Sequence, residues 1–530
     1  MKVIVTDEIS EKGLELLQND PRIELDVRLG LSKAELHAAI GAYDAIITRS
    51  GTQVDAELLR HAGRLQMIAR AGVGIDNVDV PAASERGIIV VNAPFGNTNS
   101  AAEHTMAILL AMCRNVADAN ASLKSGAWQR APFTGHELRH RTLGIIGLGK
   151  VGGRVALRAR AFEMEVLVHD PYISEKRASD FGTRLVGLDE LVRSADVISV
   201  HTPLNEETRD LLDAGHFAAM TPGVLIVNCA RGGIINETAM LAALESGKVA
   251  GAAFDVWSEE PPQSETLKAL IAHPRMLVTP HLGANTFEAQ TNVAIDVSRE
   301  ILNLLDGKPM ENAVNIPRFD PDLMLQMRPF MELAAVLGDF ISQLAPENPA
   351  KVSFAYTGKL ADHDCMPITV AGLAALLNHC TDQEVNMVNA GLVAERHGLV
   401  VEQSRSTESE FFSNLITLTL ETPQGKRIVA GTLFEGKAKI VRMRDFATDF
   451  TPEEHMLVMT YEDRPGLIGK IGTILGEEGV NIGAMNLGRR GKGEEAMVVL
   501  SVDSPVQQQT LDRLQDAVGA SFVKEVRLEL

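Results

Sequence analysis

From the first residue to about 285, short runs of Val, Ile, Leu and Ala without polar alternation recur between stretches of helical periodicity. In order they are KVIVTD, IELDVR, DAIITRS, LQMIARAG and GIIVVNAP, then TLGIIGLG, EVLVHD, DVISVHTP, GVLIVNCA, VAGAAFDV and MLVTPH. A strand that is apolar on both faces belongs in a parallel sheet covered by helices on both sides. Strand–helix alternation over this length predicts a doubly wound α/β architecture. Eleven runs exceed one tidy sheet, so two parallel-sheet domains of Rossmann or flavodoxin type are predicted. Residues 100–116, rich in Ala, Met and Leu, predict a long helix between the two sheets, and 286–305 a second helix after the last strand.

The pattern then changes. GKPMENAVNIPRFDPD holds three prolines and predicts a linker near 307–322. Residues 323–345 and the run AGLAALLNHC predict helices, and LITLTL, RIVAGTLF and KAKIVRMRD predict strands of an antiparallel α+β module. From Glu454 onward the order is strand, helix, strand, strand, helix at 505–518, and a final strand FVKEVRLEL. That is the split βαβ, ferredoxin-like pattern.

Composition narrows the function. Apolar residues make up 45% and charged residues 23%, which supplies several buried cores and excludes a mainly disordered chain. Lys+Arg 50 against Asp+Glu 70 leaves a net charge of −20, a poor field for nucleic acid or anionic membrane. Cys113, Cys229, Cys365 and Cys380 lie far apart, with no ligand spacing, so neither a structural metal nor a disulfide framework is expected. The opening MKVIVTDEIS lacks the pattern of a secretory signal, and no apolar run reaches the ~18 residues of a membrane span. A soluble, cytoplasmic protein is expected.

The chemistry sits at strand ends. Gly147-Leu-Gly149-Lys150-Val151-Gly152 follows an apolar strand and opens a helix. Gly147 permits the tight turn, Gly149 the approach of a pyrophosphate, and Gly152 close helix packing, with phosphates drawn to the helix N-terminus. Asp170 ends the next strand, where a carboxylate accepts from ribose hydroxyls and repels a 2′-phosphate, predicting NAD over NADP. Three further segments follow strand ends of the same sheet: Asn228-Cys229-Ala230-Arg231-Gly-Gly, Asp255-Val-Trp-Ser-Glu-Glu260-Pro-Pro, and Thr279-Pro-His281-Leu-Gly283-Ala284. An arginine there is placed to grip a carboxylate, and a histidine beside an acid is placed for proton transfer. In the first domain, Arg49-Ser50 and Arg70 through Gly74 to Asn77 stand after strands, as does the loop ending at Asn97. Arg49, Arg70 and Arg130 are either solvated surface groups or the lining of a cleft for a phosphorylated, doubly charged substrate.

GLGKVG with Asp170, NCARGG, DVWSEEPP and TPHLGA together resemble the D-isomer-specific 2-hydroxyacid dehydrogenase family over roughly 1–316. The resemblance implies that Arg231 orients the substrate carboxylate, that His281 is the acid/base, and that Glu260, directly before proline, is its partner. It also implies that Thr202, Cys229, Ala230, Asp255, Gly283 and Ala284 line the NAD site. SGAWQRAPFTGHEL resembles the segment by which 3-phosphoglycerate dehydrogenases in that family reach into a neighbouring subunit, which makes Arg130 a residue acting in trans and the protein a homodimer or homotetramer. The C-terminal unit, with Tyr461, Asp463 and Asn481 around a Pro-Gly turn, resembles an ACT domain, and the whole layout resembles the long members of that group. The implied domains are a substrate-binding unit at 1–98 plus 287–316, an NAD-binding unit at 99–286, an intervening regulatory unit at 317–453 and an ACT unit at 454–530. The implied activity is NAD-dependent oxidation of 3-phospho-D-glycerate to 3-phosphooxypyruvate, opening L-serine synthesis, with L-serine as effector at Tyr461, Asp463 and Asn481. Two alternatives are glyoxylate or hydroxypyruvate reduction and an NAD-sensing corepressor, the latter disfavoured by the ordered α+β tail. Lys437, Lys439, Arg442 and Arg444 form a basic cluster suited either to a phosphorylated effector or to a charged strand face.

Overall fold

The computed structural model describes residues 1–317, 321–345, 349–381, 383–408 and 411–528. The first sheet is parallel throughout and consists of β1 (Lys2–Val5), β2 (Glu24–Val27), β3 (Ala45–Thr48), β4 (Met67–Arg70) and β5 (Ile89–Asn92), in the order β2-β1-β3-β4-β5. Val3, Ile4, Ile46, Ile47, Met67 and Ile68 are completely buried, as strands covered on both faces require. The helix Phe287–Leu305 returns to this sheet, where Val293, Val297 and Ile301 join its core. Gly13 allows that return, because a Cβ there would sit 2.2 Å from the Cβ of Ala294.

The second sheet is also parallel. It contains β6 (Thr142–Ile146), β7 (Glu165–His169), β8 (Arg184–Leu185), β9 (Val197–Val200), β10 (Val224–Asn228), β11 (Val249–Phe254) and β12 (Met276–Val278). Its order, β12-β11-β10-β9-β6-β7-β8, reverses between β9 and β6, the switch point where open α/β sheets hold ligands. The strand β8 is an addition to the eleven expected. The predicted helix over 100–116 is found at Thr98–Cys113, and a further helix, Val116–Lys124, follows it after Asn115 in the left-handed region (φ 53°).

The third sheet differs from the antiparallel module expected. It comprises β13 (Lys351–Gly358), β14 (Val400–Ser406), β15 (Asn414–Thr422), β16 (Gly425–Phe434), β17 (Lys437–Met443) and β18 (Phe446–Phe450), ordered β14-β13-β15-β16-β17-β18. The edge strand β14 pairs parallel to β13, so the sheet is mixed. The helices Pro321–Gln343 and Met366–Leu377 cover one face. The segment after the second of these helices touches the first sheet's domain, with Gln383 Nε2 donating to the Glu85 carbonyl at 2.5 Å and Asn386 Nδ2 to that of Gly87 at 2.8 Å.

The fourth sheet is antiparallel, with β19 (His455–Glu462), β20 (Ile482–Arg489), β21 (Glu495–Val502) and β22 (Phe522–Arg527) in the order β20-β21-β19-β22. Alternate residues divide its strands. Leu457, Met459, Tyr461 and Val498 face the helices Leu467–Glu477 and Gln508–Val518, while Met456, Val458, Met497 and Val526 enter the core of the third sheet. The last two units therefore share one hydrophobic core. Residues 318–320 of the expected linker and 529–530 of the expected final strand lie outside the described residues. Among the described residues no helix is long and apolar enough to cross a membrane.

Candidate active site

The turn after β6 is built for close approach. Gly147 sits at φ 94°, and a Cβ at Gly152 would lie 2.1 Å from the Gly147 carbonyl oxygen, so the helix Lys150–Ala161 packs directly against the turn. Gly149 has open space where its Cβ would be, and as N-cap it leaves the first-turn N–H groups without a side-chain acceptor. Asp170 folds back on the loop, one carboxylate oxygen accepting from Leu148 N at 2.9 Å and the other from Tyr172 N at 3.0 Å. At the end of β9, Thr202 Oγ1 and His201 Nδ1 are buried without hydrogen-bond partners, and burial pushes His201 down to about 4, so its ring is neutral. Lys150 lies over the Phe95 ring, 3.1 Å from its centroid, tying the glycine loop to the first domain's last loop. An uncapped helix start, a cradle a methyl would fill and an orphaned hydroxyl fit a dinucleotide pyrophosphate.

Asp255, just past β11, organises the opposite wall. It is fully buried, and Oδ1 accepts from Thr279 Oγ1 at 2.6 Å and Leu282 N at 2.7 Å, while Oδ2 accepts from Gly283 N at 2.8 Å. His104 Nε2 stands 3.2 Å from Oδ1. Burial alone would raise the Asp255 pKa, but the bonds from His104, Thr279 and Leu282 outweigh it and hold the carboxyl below its ordinary value. The Asp255 carbonyl accepts from His281 N at 2.8 Å, and His281 takes the left-handed backbone region (φ 55°). The loop is thus shaped so that His281 Nδ1 meets Glu260 Oε2 at 2.7 Å. The other Glu260 oxygen accepts from Trp257 N at 3.1 Å. Partial burial would raise Glu260, yet its bond and charge interaction with His281 bring it below the usual range. Glu259 turns elsewhere, accepting from Gln263 N and Ser264 N.

Arg231 crosses between the two domains. Its Nε donates to Asp76 Oδ2 at 3.0 Å and Nη1 to the Ala230 carbonyl at 2.7 Å, above Gly74. Asn228 fixes the turn, accepting from Ala230 N at 3.0 Å and donating to the Arg231 carbonyl at 2.9 Å. Arg70 is pushed down to about 10, first by burial and then by the charges of Arg231 and Arg49. Among the described residues no carboxylate lies within ion-pair distance of Arg70; its nearest bond is to Asn77 Oδ1 at 3.5 Å. Arg49 is anchored through its N–H to Asp7 at 2.5 Å, with Ser50 exposed beside it.

Asp76, Arg231, Asp255 and His281 line one cleft of about 550 Å³, to which Gly74, Asn97, Lys150, Val151, Thr202, Cys229, Ala230, Gly283 and Ala284 also contribute. Arg49, Ser50, Arg70 and Asp170 stand outside its lining, and Glu260 lines the adjoining hollow with His281. Burial pushes the Cys229 thiol up to about 12. Arg130 is exposed and outside this cleft in its own chain. Asp76, Asn228, Thr279 and His104 hold the site together. Sequence named Asn228 and Thr279 only as the first residues of their segments and did not single out Asp76 or His104, the latter lying within an apolar helical run, where one polar residue gives no signal. In the fourth sheet, Tyr461 Oη is buried without a partner and Asp463 meets Arg489 at 3.3 Å. Asn481 bonds Asp503 at 2.8 Å, near the far end of β21, so one chain does not bring it together with Asp463.

Residues 106–283 match the NAD binding domain of the D-isomer specific 2-hydroxyacid dehydrogenases, 326–444 the D-3-phosphoglycerate dehydrogenase intervening domain, and 455–519 the ACT domain. The chain is 40% identical to a D-3-phosphoglycerate dehydrogenase of Archaeoglobus fulgidus over 529 residues, covering 99% of this chain and 100% of the relative. It is 39% identical to that of Bacillus subtilis over 530 residues, 99% of each. Among solved structures, D-lactate dehydrogenase from Aquifex aeolicus, complexed with NAD and lactic acid, aligns with a TM-score of 0.54 at 25% identity, covering 60% of this chain and 100% of that one. A glyoxylate reductase aligns with a TM-score of 0.55 at 30% identity, covering 59% of this chain and 98% of that one.

Proposed function

This chain belongs to the long-form D-3-phosphoglycerate dehydrogenases of the NAD-dependent D-2-hydroxyacid dehydrogenase family, and we propose that it oxidises 3-phospho-D-glycerate to 3-phosphooxypyruvate with NAD. One observation carries the substrate choice: Arg70 is half-buried in the field of Arg49 and Arg231, with no carboxylate partner among the described residues. An acidic protein that concentrates three guanidinium groups beside a His–Glu pair is matched to a small acid bearing two anionic groups.

In this reading Gly147, Gly149, Lys150, Val151 and Gly152 hold the pyrophosphate, Asp170 the adenine-side ribose, and Thr202, Cys229, Ala230, Asp255, Gly283 and Ala284 the nicotinamide half. The chemistry that NAD supplies when bound is acceptance of the C2 hydride. Arg231, with Nη2 outside its bonds to Asp76 and Ala230, grips the C1 carboxylate. Arg49, Ser50 and Arg70 receive the phosphate, with Gly74 and Asn97 shaping the floor. His281 takes the C2 hydroxyl proton on Nε2, because Nδ1 is engaged by Glu260. The carboxylate of Glu260 stands against the imidazolium so formed.

The assembly follows from the surface. Trp128 is 82% exposed on the same segment as Arg130, and an apolar hollow lined by Trp257, Pro261, Pro262 and Val278 flanks His281. A second copy that seats its Trp128 segment there would bring Arg130 to the phosphate, making the unit a homodimer or a homotetramer built from two such dimers. Two copies of the fourth sheet meeting at β20 would likewise bring Asn481 of one to Asp463 of the other around L-serine. The test is NADH formation with phosphorylated and unphosphorylated 2-hydroxy acids, with and without L-serine. Higher kcat/KM for glycerate than for 3-phosphoglycerate overturns the substrate reading. His281→Ala should lower kcat at least ~10²-fold, and turnover near that of the wild type rejects its role.

A further inference from the structure

The shared core of the third and fourth sheets is not completely filled. A cavity of about 290 Å³ lies where the helix Pro321–Gln343 and strands β16 and β17 meet β19, β21 and β22. Its floor is apolar: Phe340, Val429, Met443, Val458 and Met497 are each no more than 3% exposed. Its rim carries Arg427, Arg444, Glu495 and the hydroxyls of Thr460 and Ser521. The cavity opens to the surface at this rim, so its buried apolar floor is a recess between the two units that a small molecule can enter.

The charges at the rim do not balance. Glu495 faces Arg444 at 3.9 Å and Arg490 at 3.7 Å, and is therefore committed. Arg427 has no ion pair among the described residues, and its Nε is buried with no hydrogen-bond partner. A buried guanidinium N–H without an acceptor is costly, and a carboxylate entering from the rim would satisfy it with a charge-assisted bond. The remaining wall is hydrocarbon. Arg427 and Arg444 against Glu495 leave one positive charge, which one carboxylate neutralises and a zwitterion does not.

We propose that this cavity binds a small monocarboxylate with an apolar body, its carboxylate on Arg427 and its tail against Phe340, Met443 and Met497. The site is distinct from the catalytic cleft. It also differs from the positions considered for serine, because Thr460 faces the cavity while its neighbour Tyr461 faces the opposite side of β19. An occupant would wedge the ACT sheet against the helix Pro321–Gln343, and so set the angle between the last two units.

Octanoate is the probe. Calorimetric titration of the full chain, saturated with NAD, should give saturable binding. Arg427→Leu should weaken it at least tenfold and Arg427→Lys by much less, with thermal unfolding and turnover without octanoate unchanged in both. Met497→Trp, which fills the floor, should abolish it, and 1-octanol should bind at least tenfold more weakly. Absence of saturable binding at millimolar octanoate overturns the proposal. Equal affinity for 1-octanol, or Arg427→Leu binding as tightly as the wild type, overturns it equally.

Discussion

Replacing Gly74 with Ala tests whether Arg231 anchors the substrate without touching Arg231 itself. A Cβ at Gly74 would lie 2.1 Å from Arg231 Nη2, 3.1 Å from its Cζ and 2.9 Å from Asp76 Oδ2. Ordinary contact starts near 3.4 Å, so the guanidinium must retreat by about 1.3 Å. That retreat breaks its alignment with Asp76 and with the Ala230 carbonyl, which now hold it at 3.0 and 2.7 Å. The backbone of Gly74 does not sit at positive φ, so alanine adds no conformational strain. A displacement on the order of 1 Å at a positioning group costs ~10²-fold in rate, or about 2.7 kcal/mol of transition-state stabilisation. The expected result for Gly74→Ala is therefore a kcat/KM for 3-phosphoglycerate about 100-fold lower, with unaltered NAD affinity and a Tm within ~2 °C of the wild type. Steady-state NADH formation, NAD titration and thermal unfolding measure the three quantities. A kcat/KM within threefold of the wild type would falsify the anchoring role, and a large fall in Tm would make Gly74 a folding residue instead.

Gly149→Ala places a methyl in the open cradle, so NAD affinity should fall at least ~10-fold while stability holds; equal NAD binding by titration rejects the cradle as the pyrophosphate site. Asp255→Asn turns an acceptor toward N–H groups it cannot satisfy, and should destabilise the fold by about 2 kcal/mol in urea unfolding. Because its hydrogen bonds hold Asp255 below its ordinary 3.8, its contribution is complete above that value and disappears as pH falls through the lower folded value. The gap between wild type and Asp255→Asn should thus stay level from about pH 8 to pH 5 and shrink only below about pH 4. Cys229, pushed up to about 12, should alkylate ~10³-fold more slowly at pH 8 than a free thiol, and rapid labelling of Cys229 in the native protein, read by mass spectrometry, contradicts that.

Both parallel sheets were legible because strands buried on two faces are written as unbroken Val/Ile runs, and the glycine loop because its turn chemistry is local. The limits are equally physical. The strand β8 is two residues long and has no hydrophobic run to display. In β14, VVEQSRS is exposed at every position, so no pattern marks it, and only pairing with β13 makes it a strand. Residues of β13 do alternate, with Val352, Phe354 and Tyr356 inward, yet the sequence reading assigns no strand there. At the cleft, strand-end positions marked Arg231, Glu260 and His281 without any distance. His104 and Asp76 act through tertiary contacts that no spacing encodes, while Arg130 lies outside the cleft of its own chain and Asn481 stands apart from Asp463.

The core common to the third and fourth sheets has a consequence for how the tail can be inherited or engineered. A cut after residue 453 would strip Met456, Val458, Met497 and Val526 from above Phe340 and Phe450 and leave a broad greasy face in water. The last two modules are thus welded into one exchangeable cassette, and grafting either alone onto another enzyme would carry an open wound with it.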